Sequence, residues 1–328
     1  MFRRIGQAVE KTFERQGYNA TNPAFIKHFD YKTRFCMLGT VASGKTTISG
    51  NLLVTAHTKS NDDPNFYCRV IEHKSNIRVA ASNLRNGIFP PKTIPTGNST
   101  YESGLELRWK TTFGEKYVHI PIVDVAGEDI QFMLSDYNVG ENDAVINYQR
   151  LKELIQYMKE SEGFIIALPA PRACTGVQIE FEPEDLAADP DVNLSRLLEQ
   201  IINYKRQHRG KDIKGIAVVI TKYDLFQDYA IRNNMNLYEP GGINRFMEVY
   251  FPDTNMQLKY LRDKGLVHFF PSHVSLEYDE GGDLQTHNAP GLPYHNSPKI
   301  AVDRRTRKPK YAESSYMSLF DYLEQFAS

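Results

Sequence analysis

The stretch "GTVASGKTT", from Gly39 to Thr47, follows an apolar run and contains the residue types that can hold a phosphate group. Glycines near both ends, Gly39 and Gly44, permit the tight curvature that turns successive backbone N–H groups toward an anion. Lys45 would bridge the β- and γ-phosphates, and the Thr46 hydroxyl would bind Mg²⁺. We therefore predict a nucleotide-binding loop that comprises Gly39, Val41, Ala42, Ser43, Gly44, Lys45, Thr46 and Thr47.

A second candidate element lies in "IPIVDVAGEDI", where an apolar run ends in Asp124. Three residues later, Gly127 lets the backbone approach a terminal phosphate, so that its N–H group can contact the γ-phosphate. Asp124 would then belong to the Mg²⁺ shell. Asp-x-x-Gly is a common pattern, and its position downstream of a phosphate loop makes it more specific.

The stretch "AVVITKYD" predicts which base is bound. A carboxylate at the end of a strand can accept hydrogen bonds from both N1–H and the 2-amino group of guanine, a donor pair that adenine lacks. Asp224 is the candidate for this role. Lys222 would lay its aliphatic stem along the base, and Thr221 would tie this segment to the phosphate loop. A plain surface pair of Lys222 and Asp224 is the alternative.

The stretches "GTVASGKT", "DVAG" and "TKYD" occur in this order at the ends of apolar runs. Together they resemble the Ras-like branch of the translation-factor-related (TRAFAC-class) P-loop GTPases, over roughly residues 33–274 without the insertions. The resemblance implies GTP or GDP and Mg²⁺ as cofactors, and hydrolysis of GTP to GDP and phosphate. It also implies a protein effector or activator, whereas nothing indicates a nucleic-acid partner.

The resemblance extends to two further segments. "FFPSHVS" stands where the family has a short base-contacting loop, so Ser272 and His273 would offer backbone N–H groups to the guanine O6. The family also needs a threonine that binds Mg²⁺ and responds to the γ-phosphate. Thr93, Thr96 and Thr100 are candidates, and "IPT" before a strand favours Thr96.

The residue that follows Gly127 departs from the family's sequence pattern. Many relatives have a water-orienting glutamine there, and this chain has Glu128, whose negative charge beside a phosphate is electrostatically costly. The implied catalytic set is Lys45, Thr96, Gly127 and Glu128, with slow or partner-stimulated hydrolysis. A GTP-binding assembly module without hydrolysis is the alternative. Lys92 and Arg85 are weak candidates for an added positive charge, and "TKYD" disfavours an ATPase.

The elements that must position these residues follow from the apolar pattern. We predict a strand over residues 33–38, a loop through Ser43 and a helix from Lys45 to about Ala56. The runs "HIPIVDV", "GFIIALPA", "GIAVVITKYD" and "LVHFFPS" alternate with helical periodicity over residues 145–159 and 194–206. Such alternation indicates an α/β protein with a mostly parallel sheet. A hairpin around Gly114 would add one antiparallel edge strand.

With the resemblance, the expected architecture is the three-layer P-loop NTPase fold. It has a mostly parallel six-stranded sheet, one antiparallel edge strand and helices on both faces. Residues 1–30 form a predicted amphipathic helical extension, and residues 31–328 a single domain that ends in a helix at about 315–326. The predicted insertions are residues 61–90, 174–193, 227–242 and 277–310.

Composition limits the possible partners and compartments. A formal net charge of -1 gives no overall attraction to nucleic acid or anionic lipid. Three widely separated cysteines and the lack of a long apolar run predict a cytoplasmic protein. The mixed charge of the N-terminal helix favours packing on the domain over peripheral membrane contact. We expect the basic run 303–310 to be a solvated loop and the histidines to be structural.

Overall fold

The computed structural model describes residues 33–40, 43–72, 76–90, 103–122, 158–171, 190–207, 212–292 and 294–328. Its strands are β1 (Phe35–Gly39), β2 (Phe66–Glu72), β3 (Ser103–Thr111), β4 (Gly114–Pro121), β5 (Gly163–Pro169), β6 (Gly215–Thr221) and β7 (Val267–Pro271). Its helices are α1 (Lys45–Asp62), α2 (Asn76–Arg85), α3 (Pro190–Gln207), α4 (Asp224–Arg232), α5 (Pro240–Tyr250), α6 (Pro252–Asp263) and α7 (Glu313–Glu324).

A four-stranded parallel sheet has the strand order β1-β5-β6-β7. Three of its strands are buried on both faces, since β1 and β6 are buried at every residue and β5 at all but its last. Continuous apolar runs are what a parallel sheet with two covered faces requires. The predicted α/β class with a mostly parallel sheet is therefore confirmed.

The two faces of this sheet are covered by different helices. Phe35, Met37 and Ile165 pack in one core cluster with apolar residues of α1 and α7. The residues between them point to the opposite face because side chains alternate along a strand. On that face the Lys205 ammonium of α3 lies 5.6 Å from the centre of the Phe164 ring. Helices thus lie on both faces, as the pattern predicts.

A three-stranded antiparallel sheet has the order β2-β3-β4. The predicted hairpin is present, with Thr111 paired to Gly114, whose φ of 130° suits a glycine. The prediction of one antiparallel edge strand is wrong, because β2 pairs with the outer side of β3 and forms the edge. Two isolated parallel bridges, Arg34–His119 and Met37–Ile122, connect β4 with β1.

The insertions and helix ends differ from the prediction in part. The stretch 61–90, expected as an insertion with helices or irregular segments, contains the end of α1, then β2 and α2. Helix α1 continues to Asp62 rather than ending near Ala56. The described residues of 277–310 form an irregular excursion held by isolated antiparallel bridges such as Thr286–Pro298. The predicted helices over 1–30 and most of 145–159, and most of the insertion 174–193, lie outside the described residues.

Within the described ranges, no helix has both the length and the apolar character needed to cross a membrane.

One buried carboxylate joins two helices. Helix α6 begins at Pro252, and the first backbone N–H groups of a helix have no partner within the helix. Asp191, at the start of α3, accepts hydrogen bonds from the Thr254 N–H at 2.8 Å and the Asp253 N–H at 2.9 Å. Asp191 is only 6% exposed, so water cannot readily replace it.

We expect Asp191→Ala to lower the free energy of unfolding by about 1–3 kcal/mol, because it leaves buried N–H groups without acceptors. Urea denaturation followed by circular dichroism measures this loss. The matched control is Asp253→Ala, which removes an exposed carboxylate from the first turn of the same helix and should cost less. Equal losses in the two variants would contradict a capping role for Asp191.

Candidate functional site

The predicted phosphate loop connects the end of a buried strand to the start of a long helix. Strand β1 ends at Gly39 and α1 begins at Lys45. Gly44 caps the helix with φ 86° and ψ 19°, a left-handed conformation that disfavours residues with a Cβ atom. Its carbonyl accepts the Ile48 N–H at 2.9 Å, which begins the helical hydrogen-bond ladder. The N-terminus of α1 therefore opens directly at the loop and carries the positive end of the helix dipole.

The Lys45 side chain folds back over the beginning of the loop. Its ammonium donates to the carbonyl of Gly39 at 2.9 Å and to that of Thr40 at 3.1 Å. A cation thus lies beside the first residues of the loop and close to the helix N-terminus. Thr46 and Thr47 occupy the first turn of α1. This arrangement can bind an anion through one full charge and the helix dipole together.

The loop is packed tightly against the neighbouring strand. A Cβ atom at Gly39 would lie 2.5 Å from the Ser43 Oγ and 2.8 Å from the Ala167 Cβ of β5. Ser43 is fully buried, and its hydroxyl has no hydrogen-bond partner among the described residues. An orphaned hydroxyl and a close-fitting glycine are compatible with a loop built around a polar ligand.

The end of β6 is joined to the predicted phosphate loop. The Thr221 hydroxyl donates to the Ser43 carbonyl at 2.9 Å. The same residue lies beside Gly44, where a Cβ atom would be in ordinary van der Waals contact with the Thr221 Cγ2 at 3.5 Å. The contact between "TKYD" and the phosphate loop that the sequence predicts is therefore present.

Lys222 has a left-handed backbone with φ 60°. Among the described residues, the other non-glycine positions with positive φ are Asn234, Asn296 and Arg307. Asparagine tolerates this conformation, whereas lysine is strained in it by about 1–2 kcal/mol. Two residues later, Asp224 begins α4. Strained residues cluster at functional sites, and Lys222 occupies one of the predicted positions.

The predicted base-contacting loop follows β7. The Ser272 N–H donates to the Ile220 carbonyl at 2.7 Å, and the Ser272 carbonyl accepts the Tyr223 N–H at 3.2 Å. The Ser272 N–H thus continues the β6–β7 ladder, and its predicted contact with the guanine O6 stays a prediction. No partner is seen for the His273 N–H within the described part of the chain. That group remains the candidate donor.

Burial also affects the His273 side chain. It lowers the pKa of the imidazole below its usual value, so the ring is neutral near pH 7. The ring Nδ1 is buried without a hydrogen-bond partner in the described structure. His273 therefore adds no positive charge to this loop.

The described residues bring three predicted segments to one edge of the sheet, since β1, β6 and β7 are parallel and all end there. The predicted site residues found at this edge are Gly39, Ser43, Gly44, Lys45, Thr46, Thr47, Thr221, Lys222, Asp224, Ser272 and His273. Those outside the described residues are Val41, Ala42, Thr93, Thr96, Thr100, Asp124, Gly127 and Glu128, together with Lys92. Arg85 lies in the last turn of α2, where its guanidinium is 2.7 Å from the His57 ring.

Metal ligation can be assessed only in part. Thr46 is described, and the other two predicted Mg²⁺ ligands are not. Among the residues that are described, no group of three or more histidine, cysteine, aspartate or glutamate side chains could hold a metal ion. A site that combines one hydroxyl with phosphate oxygens would not form such a group.

Two residues at this edge were missed in the sequence. Ala167 lies against Gly39 at the end of β5, and a larger side chain there would displace the loop. Tyr316 of α7 has its hydroxyl 2.7 Å from the Ser272 Oγ. In the sequence, only its small size near a strand end indicates a site role for Ala167. Only the presence of a tyrosine within an apolar helix face indicates one for Tyr316.

Comparison with known proteins gives no relative: no protein-family model matches the chain, and no curated protein matches it.

The strain at Lys222 leads to a test at a single position. We expect Lys222→Gly to be about 1 kcal/mol more stable than Lys222→Ala, since glycine adopts φ 60° without a Cβ penalty. Both variants should lose affinity for guanine nucleotide, because both lack the aliphatic stem predicted to cover the base. Denaturation and fluorescent-nucleotide titration of the three proteins measure the two effects. Wild-type nucleotide affinity in both variants would show that the strained lysine is not retained for binding.

Proposed function

We propose that the chain is a GTP-binding molecular switch that hydrolyses GTP to GDP and phosphate in a Mg²⁺-dependent reaction. Hydrolysis would be slow or stimulated by a partner protein. The observation that carries this proposal is the phosphate loop, in which a left-handed Gly44 leads into the N-terminus of α1 and the Lys45 ammonium folds over the loop. The second support is the hydrogen bond from Thr221 to Ser43, which joins this loop to "TKYD".

The phosphates of GTP would lie at the N-terminus of α1. Lys45 would exchange a neutral carbonyl acceptor for a phosphate oxygen, and charge-assisted hydrogen bonds are roughly twice as strong as neutral ones. Thr46, with Thr96 and Asp124, would hold Mg²⁺, which neutralises the charge that develops on the phosphates. Gly127 would offer its N–H group to the γ-phosphate, and Glu128 would orient the attacking water.

The guanine base would lie between "TKYD" and the loop after β7. Asp224 would accept N1–H and the 2-amino group, Lys222 would cover one face of the base, and the His273 N–H would donate to O6. The support is that the carbonyl of Ser272 accepts the Tyr223 N–H, so the two segments are joined by the backbone. Such a set rejects adenine because it would leave Asp224 facing no donor pair.

We also propose that the sheet is the six-stranded sheet of the P-loop NTPase fold, in the order β3-β4-β1-β5-β6-β7. The parallel bridges between β4 and β1 support this order. Strand β2 would then be an addition outside β3. The segment from Asp124 to Glu128 would follow β4 and reach the same edge as the phosphate loop.

A second candidate function is a GTP-binding assembly module that scarcely hydrolyses its nucleotide. Glu128 favours it, because a carboxylate near the γ-phosphate is repelled by the phosphate charge. The two functions share every binding residue, and the rate of a single turnover distinguishes them.

The base assignment can be tested by changing Asp224 alone. In Asp224→Asn one acceptor becomes a donor, which opposes the 2-amino group of guanine and can face the 2-oxo group of xanthine. We expect the affinity for GTP to fall about tenfold or more, the affinity for xanthosine triphosphate to rise, and ATP to bind poorly throughout. Competition against a fluorescent nucleotide measures all three.

The matched control is Asp228→Asn, the same substitution at an exposed position one turn further along α4, which should change none of these affinities. Lys45→Ala should instead abolish binding of all three nucleotides, because it removes the loop's cation. Wild-type GTP affinity in Asp224→Asn, or equal affinity of the wild type for ATP and GTP, would overturn the proposed function.

Hydrolysis depends on Glu128 in this proposal. We expect Glu128→Gln to preserve or raise the single-turnover rate of GTP hydrolysis, since glutamine orients water without the added charge. Glu128→Ala should lower the rate by about tenfold or more. The neighbouring Asp129→Asn is the control and should leave the rate unchanged. If alanine at position 128 has no effect, another residue orients the water.

A further inference from the structure

A buried tyrosine connects three elements behind the candidate site. Tyr316 of α7 is 1% exposed, and its hydroxyl lies 2.7 Å from the Ser272 Oγ. Asn51 of α1 donates its side-chain N–H to the same phenol oxygen at 3.3 Å. One hydroxyl thus joins α7, the loop after β7, and the helix that begins in the phosphate loop.

The phenol can serve both partners because it stays neutral. Complete burial raises the pKa of Tyr316, while its hydrogen bonds to Ser272 and Asn51 oppose the shift. A neutral phenol accepts the Asn51 N–H and can donate its own proton to Ser272. Ser272 is only 4% exposed, so water does not compete for this hydrogen bond.

The backbone carbonyls of the loop are also held in place. The Ser272 carbonyl accepts the Tyr223 N–H, and the His273 carbonyl accepts the Ala312 N–H at 3.2 Å, just before α7 begins. The Ser272 N–H is used in the strand ladder. The Tyr316 hydroxyl therefore holds the Ser272 side chain in a loop whose backbone carbonyls already accept hydrogen bonds.

A neighbouring tyrosine offers a direct comparison. The Tyr311 hydroxyl lies 2.8 Å from the Thr55 Oγ1, so it also reaches α1, about one turn beyond Asn51. The two rings pack against each other with centroids 5.7 Å apart. Tyr311 has no hydrogen bond to Ser272 or His273 within the described structure. The two residues thus share a location and differ in whether their hydroxyl contacts the loop.

We propose that the Tyr316 hydroxyl is a positioning group that holds the loop of Ser272 and His273 in register with the phosphate-loop helix, so that the His273 N–H meets the base. This inference rests on the proposed function. Tyr316 itself does not touch the nucleotide. It acts through the Ser272 side chain, and its effect falls on the part of the ligand that the loop contacts, which is the O6 edge of the base.

The test compares two nucleotides that differ only in the acceptor atom at position 6 of the base. GTP has O6, whereas 6-thioguanosine triphosphate keeps N1–H and the 2-amino group, which Asp224 would accept, and has sulfur, a weaker hydrogen-bond acceptor, in place of O6. In Tyr316→Phe, the affinity for GTP should fall about tenfold, as expected for one misplaced hydrogen bond, and the affinity for the 6-thio nucleotide should fall less than about threefold. Competition of each nucleotide against a fluorescent guanine nucleotide gives both values.

Two further variants make the result specific. Tyr311→Phe removes the comparable hydroxyl and should leave the preference for GTP unchanged. Ser272→Ala removes the other end of the bond and should reproduce the selective loss, even if Tyr316→Phe folds poorly. The double variant Ser272→Ala with Tyr316→Phe should lose no more than either single variant, because both remove the same interaction.

The outcomes separate the inference from the function on which it rests. If the wild type binds no guanine nucleotide, the proposed function fails. If the wild type prefers GTP but Tyr316→Phe weakens both nucleotides equally, the hydroxyl acts through general stability and the inference is overturned while the function stands. An equal loss of GTP preference in Tyr311→Phe would overturn it in the same way.

Discussion

The hydrogen bond from the Thr221 hydroxyl to the Ser43 carbonyl is the contact on which the candidate site depends. It joins the ends of β6 and β1, which are not neighbours, because β5 runs between them. Strands two positions apart are separated by about 10 Å, so the loop after β1 must cross the end of β5 before Ser43 can contact Thr221. The loop can follow this path because Gly39 has no side chain and Ala167 has only a methyl group where the loop crosses β5.

The parallel sheet and the strand–loop–helix geometry around Gly44 could be predicted from the sequence because each depends on local residue types. Strands β1, β5 and β6 are covered on both faces, and such strands must be continuous apolar runs, as "GFIIALP" and "GIAVVIT" are. Gly44 needs φ 86°, and Lys45 reaches carbonyls only five and six residues earlier in the chain. Because both of these features involve residues of a single short loop, they leave a recognisable pattern in the sequence.

The features that the sequence did not predict depend on distant pairings. Strand β2 is not evident in the sequence, because "FYCRVIE" contains the charged Arg69 and Glu72 and its partner β3 begins 31 residues after β2 ends. The hydrogen bond from the Ser272 N–H to β6 could not be predicted either, because a motif does not reveal how far the β6–β7 ladder extends. Tyr316 meets Ser272 across 44 residues and Asn51 across 265, and no local pattern encodes either contact.

The distribution of these contacts has an energetic consequence for the site. Hydrogen bonds to Ser43, Ser272 and their neighbours hold the loop ends in place, so ordering them on binding would cost little conformational entropy. Lys45 already lies at the loop and makes its bonds to neutral carbonyl oxygens, which a phosphate oxygen can replace at a gain. The backbone strain at Lys222 has the opposite effect on the free energy of folding, because it destabilises the protein without a ligand. For the proposed function, the segment assigned to the phosphates is therefore held in place by its contacts, whereas the segment assigned to the base contains the strained Lys222.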